Sequence, residues 1–354
     1  MSNNQSPKVI ALFNNKGGVS KTTTCFNLGW SLANKGKKVV MVDTDPQCNL
    51  TGMTLEVNEG DLLPEDYRSY AEANIYESLR PAIKSTGERI QAPTCKEVAG
   101  RSDLLLMAGS VRLSEVETQL ATAMNMGSML PAMQNVPGSF AEMYKLIGKK
   151  YKCDYILLDM SPSLGSLNQV NFLNSDYFVV PMVPDVFSVM ALRSLSEIIP
   201  DWIRWSNRVQ QMNLFSDPDL VYKFTPTIPK FLGTVIQRYN LRKGMPSKSF
   251  QQYIEQLESV AKEEFFPALA KSGLLVEDHN YSTVNGMDRK YTIAQIPDFN
   301  SLIARAQDRR KPVFELTVDE LSTWGAAQGT QVHKIEEFKD IFSNFANRII
   351  NLAK

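Results

Sequence analysis

Between Asn14 and Thr24 the chain reads NNKGGVSKTTT, with two glycines between two lysines and three threonines behind the second lysine. The stretch follows KVIALF (8–13), an apolar run that predicts a buried strand, and precedes CFNLGWSLANKGKK (25–38), which predicts a helix. The lysines and glycines therefore occupy a strand-to-helix turn. A helix beginning near Lys21 aims its unpaired N–H groups and the positive end of its dipole into that turn, and glycines let a ligand approach the backbone closely. Phosphate suits such a turn. A loop of the form G-x-x-x-x-G-K-[ST] needs a lysine beside the β- and γ-phosphates and a hydroxyl for Mg²⁺, and Lys21 and Thr22 supply both. The glycine positions of that form hold Asn15 and Ser20, so the segment fits the variant K-G-G-x-x-K-[ST], which opens on an additional lysine, Lys16.

The rest of the chain is consistent with a large α/β architecture. Strand-like runs recur at 38–43, 103–109, 154–159, 176–183, 231–237 and 291–296, and most are separated by stretches with helical spacing. That alternation predicts a doubly wound, mostly parallel sheet of P-loop NTPase type with helices on both faces. The expected organisation is one domain over 1–354, with helical insertions at about 54–100 and 200–230 and a C-terminal helix over about 333–352. Trp202 and Trp205 in the second insertion are expected to pack on the main domain. Ligands in such sheets sit at the carboxyl ends of the strands. Lys plus Arg and Asp plus Glu both number 38, so any affinity for DNA or membrane has to come from a local patch. The four cysteines make no C-x-x-C pair, which argues against a zinc site or a disulfide framework and suits a reducing cytoplasm. No signal-peptide core and no apolar run of membrane-spanning length is visible.

Carboxylates fall where a phosphate site needs them. VVMVDTDPQ ends a strand in Asp43 with Asp45 two positions on, and YDYILLD ends another in Asp159, the usual form of a Walker B carboxylate. Any one strand ending in aspartate is weak evidence, because aspartate often begins a turn; the three segments in this order are stronger.

On these segments, together with FLGTVIQRYNLRKG (231–244) and AQIPDFNSLIARAQDRRKPV (294–313), the chain resembles the ParA/MinD group of deviant Walker A ATPases, and the ParA partition ATPases more than the membrane-bound MinD proteins. The resemblance covers about 8–51, 102–195 and 231–314. It implies ATP and Mg²⁺ as ligands, with Gly17, Gly18, Val19 and Ser20 in the loop that wraps the nucleotide. It implies Lys16 as a lysine that crosses a dimer interface to the partner's ATP, Lys21 on the β/γ-phosphates, Thr22 on the metal and Thr23 on the α-phosphate. Asp45 would position the attacking water, Asp43 and Asp159 would serve the metal, and Pro297 and Asp298 would pack on adenine. Ser20 departs from the family, which most often has glycine there.

The same resemblance implies slow hydrolysis stimulated by a ParB-like or other partner protein, an ATP-dependent homodimer, non-specific DNA binding and a place on the nucleoid. Arg238, Arg242, Lys243 and Lys248 occur with no acidic residue before Glu255, and Arg305, Arg309, Arg310 and Lys311 form a second cluster. The alternatives are a membrane-positioned ATPase of the MinD sort, which would use the apolar stripe of the C-terminal helix, a nucleotide-binding regulator with weak hydrolysis, and a metabolic P-loop enzyme.

Overall fold

The computed structural model describes residues 6–55, 73–126, 133–242, 244–277, 280–281, 284, 291–321 and 324–354. In chain order the strands are β1 Lys8–Leu12, β2 Val39–Asp43, β3 Lys96–Val98, β4 Arg101–Met107, β5 Tyr155–Asp159, β6 Tyr177–Met182, β7 Lys230–Tyr239, β8 Leu241–Arg242, β9 Met245–Pro246 and β10 Thr292–Pro297. The helices are α1 Lys21–Asn34, α2 Asn49–Thr54, α3 Ile75–Ile83, α4 Leu113–Met126, α5 Asn135–Tyr151, α6 Ser166–Leu173, α7 Val186–Gln211, α8 Lys248–Val260, α9 Phe266–Lys271, α10 Leu302–Asp308 and α11 Ala326–Leu352. A single π-turn, Ala261–Phe265, joins α8 to α9.

An eight-stranded sheet runs in the order β10-β7-β6-β1-β5-β2-β4-β3, and β8 and β9 pair separately as a small hairpin. Every neighbour in the large sheet is parallel except β3, which is antiparallel to β4 at the edge. The chain winds from β1 through α1 to β2 in one direction and from β5 through α6 to β6 in the other. Right-handed crossovers in opposite directions put helices on opposite faces. Covered on both sides, β2 and β5 are buried along their whole length, as their uninterrupted apolar sequences require.

Register positions the site. Leu12 and Asp43 both lie opposite Asp159, so the ends of β1, β5 and β2 form one row and release their loops side by side. Helix α1 packs on the middle of β2 through Gly29, where a Cβ would come within 2.8 Å of the Met41 sulfur.

Three expected boundaries change. The second insertion does not begin at Pro200, because α7 continues through that proline to Gln211. Proline removes one helical hydrogen bond, but Trp202, two residues on, packs its ring 5.3 Å from Phe13 and 5.5 Å from Phe172 and holds the helix on the core. Trp205 packs on Phe215 and Phe224 of the segment that follows. In the first insertion, residues 56–72 lie outside the described ones, and the remainder supplies α3 and the edge strand β3. Finally, α11 begins at Ala326, ahead of the expected 333.

The stripe of α11 is spent internally: Ile335, Phe338, Phe342, Phe345 and Ile349 are buried, and Ser31 of α1 donates a hydrogen bond to Phe342 O at 2.9 Å. The apolar face that a membrane anchor would need is therefore already covered by the chain. Among the described residues no helix is long and apolar enough to cross a membrane.

Candidate nucleotide-binding site

The loop from Phe13 to Ser20 turns around Gly18 and Ser20, both left-handed at φ 72° and φ 59°. Glycine takes that conformation freely, whereas a residue with a Cβ pays roughly 1–2 kcal/mol. What position 20 asks for is a backbone angle, and Ser20 meets it under strain, without a side-chain cap to α1. Ser20→Gly is expected to relieve about 1 kcal/mol of strain, largely offset by the greater freedom of glycine in the unfolded chain. The melting temperature should then move by no more than a few degrees, with ATP turnover unchanged or faster. A collapse in turnover would assign the hydroxyl a chemical role.

Among the described residues, none of the backbone N–H groups from Gly17 to Thr23 has an acceptor. They border a cavity of about 820 Å³ lined by Gly17, Gly18, Val19, Ser20, Lys21, Thr22, Thr23 and Asp45. Across it stand Gln47, Cys48, Asn49, Gly52, Met53, Pro162, Arg238 and Gln307. Unpaired amides at a helix start with a cavity in front of them are an anion cradle.

Lys21 is only 7% exposed, and its ammonium folds back over the loop to donate to Asn14 O at 3.0 Å and Lys16 O at 3.1 Å. Burial pushes its pKa down to about 8, with Asp159 and Asp45 pulling it up. A phosphate at the loop favours the charged form. Above pH 8 the free chain therefore has to take up a proton to bind, and nucleotide affinity is expected to fall by up to about tenfold per pH unit. Calorimetry in buffers of different ionisation heat checks this through net proton uptake above pH 8, and a flat affinity from pH 7 to 9.5 would contradict it.

Asp159 is 1% exposed, and neither carboxylate oxygen has a partner in good hydrogen-bond geometry, although the Thr22 hydroxyl stands close enough to lower its pKa. Burial, and then the neighbouring Asp43, raise it well above the ordinary carboxylate range. An orphaned buried carboxylate beside Thr22 fits a divalent cation, which would favour the ionised form. Among the described residues no three His, Cys, Asp or Glu side chains cluster as a metal cage. One buried carboxylate and the Thr22 hydroxyl fit Mg²⁺, which characteristically takes one or two carboxylates and completes its shell with phosphates and water.

Asp43, expected to support the metal, is hydrogen-bonded within the chain. Its Oδ2 accepts from Thr51 N at 2.8 Å and Thr51 Oγ1 at 2.6 Å, and its Oδ1 from Asp45 N at 3.2 Å. With the carboxylate occupied by the chain, Asp43 braces the 44–51 loop that carries Asp45; burial still raises its pKa to about 6, against those hydrogen bonds. Asp45 lines the cavity, with Oδ1 accepting from Gln47 N at 2.9 Å.

Lys16 points elsewhere. Its ammonium donates to Asp185 at 2.5 and 2.6 Å and to Ser188 Oγ at 3.1 Å, with the Phe187 ring 5.9 Å away. Asp185 is also the N-cap of α7, accepting from Ser188 N at 2.8 Å. Partial burial works to raise the Asp185 carboxyl, but the bonds from Lys16 and Ser188 outweigh it and hold it below the ordinary range.

A family model described as an AAA domain (AAA_31) matches residues 7–211, more than half of the chain. The chain belongs to that family, among P-loop ATPases of the ParA/MinD group. This P-loop ATPase is 31% identical over 195 residues to the virulence plasmid ParA family protein pGP5-D of Chlamydia psittaci, covering 54% of this chain and 62% of that protein. It is 29% identical over 192 residues to the sporulation initiation inhibitor protein Soj of Bacillus subtilis, covering 54% and 63%. The chain thus spans less than two thirds of the length of either relative. In solved structures the same fold occurs in protein DIP2308 of Corynebacterium diphtheriae (TM-score 0.63, 20% identity, 86% of this chain and 97% of that one). It also occurs in pNOB8 ParA bound to nonspecific DNA (TM-score 0.54, 19% identity, 97% of each chain).

Within this P-loop ATPase the remaining expected residues separate. Pro297 ends β10 beside β7 and Asp298 follows it, its N donating to Tyr239 O at 3.1 Å, and neither lines the cavity. Arg238, grouped by sequence with the DNA cluster, instead reaches the phosphate loop and donates to Gly18 O at 2.9 Å. Lys248 is exposed at the start of α8 and Arg309 is exposed after α10. Arg305 and Lys311 are engaged with Glu320, Lys311 at 2.7 Å, and Arg310 is half-buried. Lys243 and the Arg242 side chain lie outside the described residues. Sequence reasoning missed Asp185, Thr51, Gln47, Asn49, Gln237 and Gln307, none of which sits in a motif long enough to declare its role.

Proposed function

We propose that the chain is an ATP-hydrolysing switch of the ParA type that joins two copies around ATP, binds DNA without sequence preference in that state, and positions or segregates a cargo through a stimulating partner protein. The observation that carries this reading is the set of unpaired amides from Gly17 to Thr23 on one cavity that Lys21, Thr22 and Asp45 also line, with the buried carboxylate of Asp159 behind Thr22 and Lys21. The relatives named ParA and Soj, and the DNA-bound ParA of the same fold, support the DNA and partition parts.

In this reading Lys21 and the loop amides hold the β- and γ-phosphates, and Thr23 holds the α-phosphate. Thr22 and Asp159 hold Mg²⁺, which when bound neutralises charge on the phosphate oxygens. Asp45 orients the attacking water, and Asp43 acts through the loop that Thr51 ties to it. Lys16 exchanges Asp185 for the phosphates of the partner's ATP, so a lone copy lacks one cation and turns over slowly. A nucleoid-associated location follows from DNA binding.

Fluorescence anisotropy on a random-sequence duplex, with an unhydrolysed ATP analogue or ADP over a salt series, tests the switch. A dimer making about six phosphate contacts is expected to give a slope near five in log K against log salt. Arg242→Ala with Lys243→Ala is expected to flatten the slope and spare DNA-free hydrolysis. If the analogue supports no tighter binding than ADP at low salt, the DNA part of the reading fails.

A further inference from the structure

The carboxyl end of β7 touches the phosphate loop from the far side of the sequence. Ile296 of β10 lies opposite Gln237 and Pro297 opposite Tyr239, so Arg238 is the extra residue of a bulge. Its backbone is left-handed at φ 60°. A non-glycine residue holds such an angle only where its surroundings over-determine it, and bulges re-aim side chains. Here the guanidinium is aimed at Gly18 O, at 2.9 Å. Its neighbour Gln237, 2% exposed, donates from Nε2 to Val19 O at 2.6 Å and to Thr24 Oγ1 at 2.9 Å. The Thr24 hydroxyl in turn donates to Ser20 O at 2.8 Å. The carbonyls of Gly18, Val19 and Ser20 are thus each held by a side chain, and the first two by β7.

A trans peptide is planar, with its C=O and N–H pointing in opposite directions. Holding the carbonyls of Gly18, Val19 and Ser20 therefore fixes the directions of the N–H groups of Val19, Ser20 and Lys21. Those are among the amides left without an acceptor at the cavity.

We propose that Gln237 and Arg238 are positioning residues of the nucleotide site, which aim the loop amides at the phosphates by holding the carbonyls behind them. The inference rests on the nucleotide-binding part of the reading above and is independent of DNA or of a partner. Its ligand chemistry is the polyphosphate, so the effect has to be the same with or without a base. Gln237→Met keeps the buried volume and loses both donated bonds; Arg238→Ala removes an exposed side chain. Arg238→Lys restores a donor of similar reach.

The experiment measures dissociation constants for fluorescently labelled ADP and for inorganic tripolyphosphate as competitor, alongside melting temperature with and without nucleotide. Gln237→Met and Arg238→Ala are each expected to weaken both ligands about fivefold to tenfold, the cost of misdirecting about one amide–phosphate hydrogen bond. The nucleotide-induced rise in melting temperature shrinks in parallel, and Arg238→Lys recovers part of the loss. Weaker ADP binding with tripolyphosphate unchanged would make Arg238 a base contact and overturn the proposal. So would a lowered melting temperature without nucleotide combined with unchanged affinities, the mark of a merely structural role. Wild-type protein that binds ADP while both variants bind it equally well sinks this inference alone; wild-type protein that binds neither ligand removes the nucleotide reading with it.

Discussion

Lys21→Ala is expected to abolish nucleotide binding. The side chain is the one lysine lining the cavity among the described residues, and it is poised on loop carbonyls that it would exchange for phosphate oxygens. Removing a buried, hydrogen-bonded cation from a charged partner costs about 3 kcal/mol or more, upward of a hundredfold in affinity. Lys16→Ala is expected to leave most of that affinity intact, because Lys16 is tied to Asp185 outside the cavity, and to lose the ATP-dependent dimer instead. Calorimetry with ATP and Mg²⁺ on both variants decides the matter. Equal loss of affinity in the two would mean that Lys16 serves its own subunit's nucleotide and would end the assignment of a role across the interface.

Asp45→Ala is expected to stop hydrolysis while sparing binding, trapping an ATP-loaded dimer. The phosphate cradle is built from the loop amides and Lys21 and does not include this carboxylate, whereas an attacking water loses its orienting acceptor. Loss of a positioned base or acceptor typically costs about 100-fold to 10,000-fold in rate. Size-exclusion chromatography with light scattering in Mg²⁺ and ATP reads the dimer, and phosphate release reads the rate. A variant that binds ATP, remains monomeric and still hydrolyses it at the wild-type rate would remove Asp45 from the mechanism. Thr51→Val is a useful companion, because the Asp43 carboxylate pins the 44–51 loop through Thr51 N and Oγ1; the variant keeps the first bond and loses the second, together with the one Oγ1 accepts from Gly109 N.

Much of this was legible along the chain because it depends on short-range spacing. A buried strand, a glycine turn and a helix start occupy consecutive residues from Lys8 to Asn34, so their order alone places Lys21, Thr22 and the loop amides at a phosphate. The parallel sheet was equally legible, since apolar strands covered on both faces carry no polar alternation. The same local reading put Asp43, Asp45 and Asp159 at strand ends. It could not tell which carboxylate is free, because that depends on Thr51, eight residues away, and on which oxygens the folded chain already occupies.

Other contacts lie far beyond any local window. Lys16 and Asp185 are 169 residues apart, and Gln237 and Val19 are 218 apart. Each pair meets only because β6 is laid beside β1 in the sheet and β7 beside β6. The charge run from Arg238 to Lys248 reads as one basic patch in sequence, yet a bulge at Arg238 turns that one side chain back to the phosphate loop. The sequence by itself determined the phosphate turn, the order of strands and helices and the family, since these follow from the types and spacing of neighbouring residues. Tertiary structure alone decided which carboxylate stands unpaired, where Lys16 is held and that β7 braces the loop, because hydrogen-bond partners are chosen by distance in space, and chain folding sets that distance.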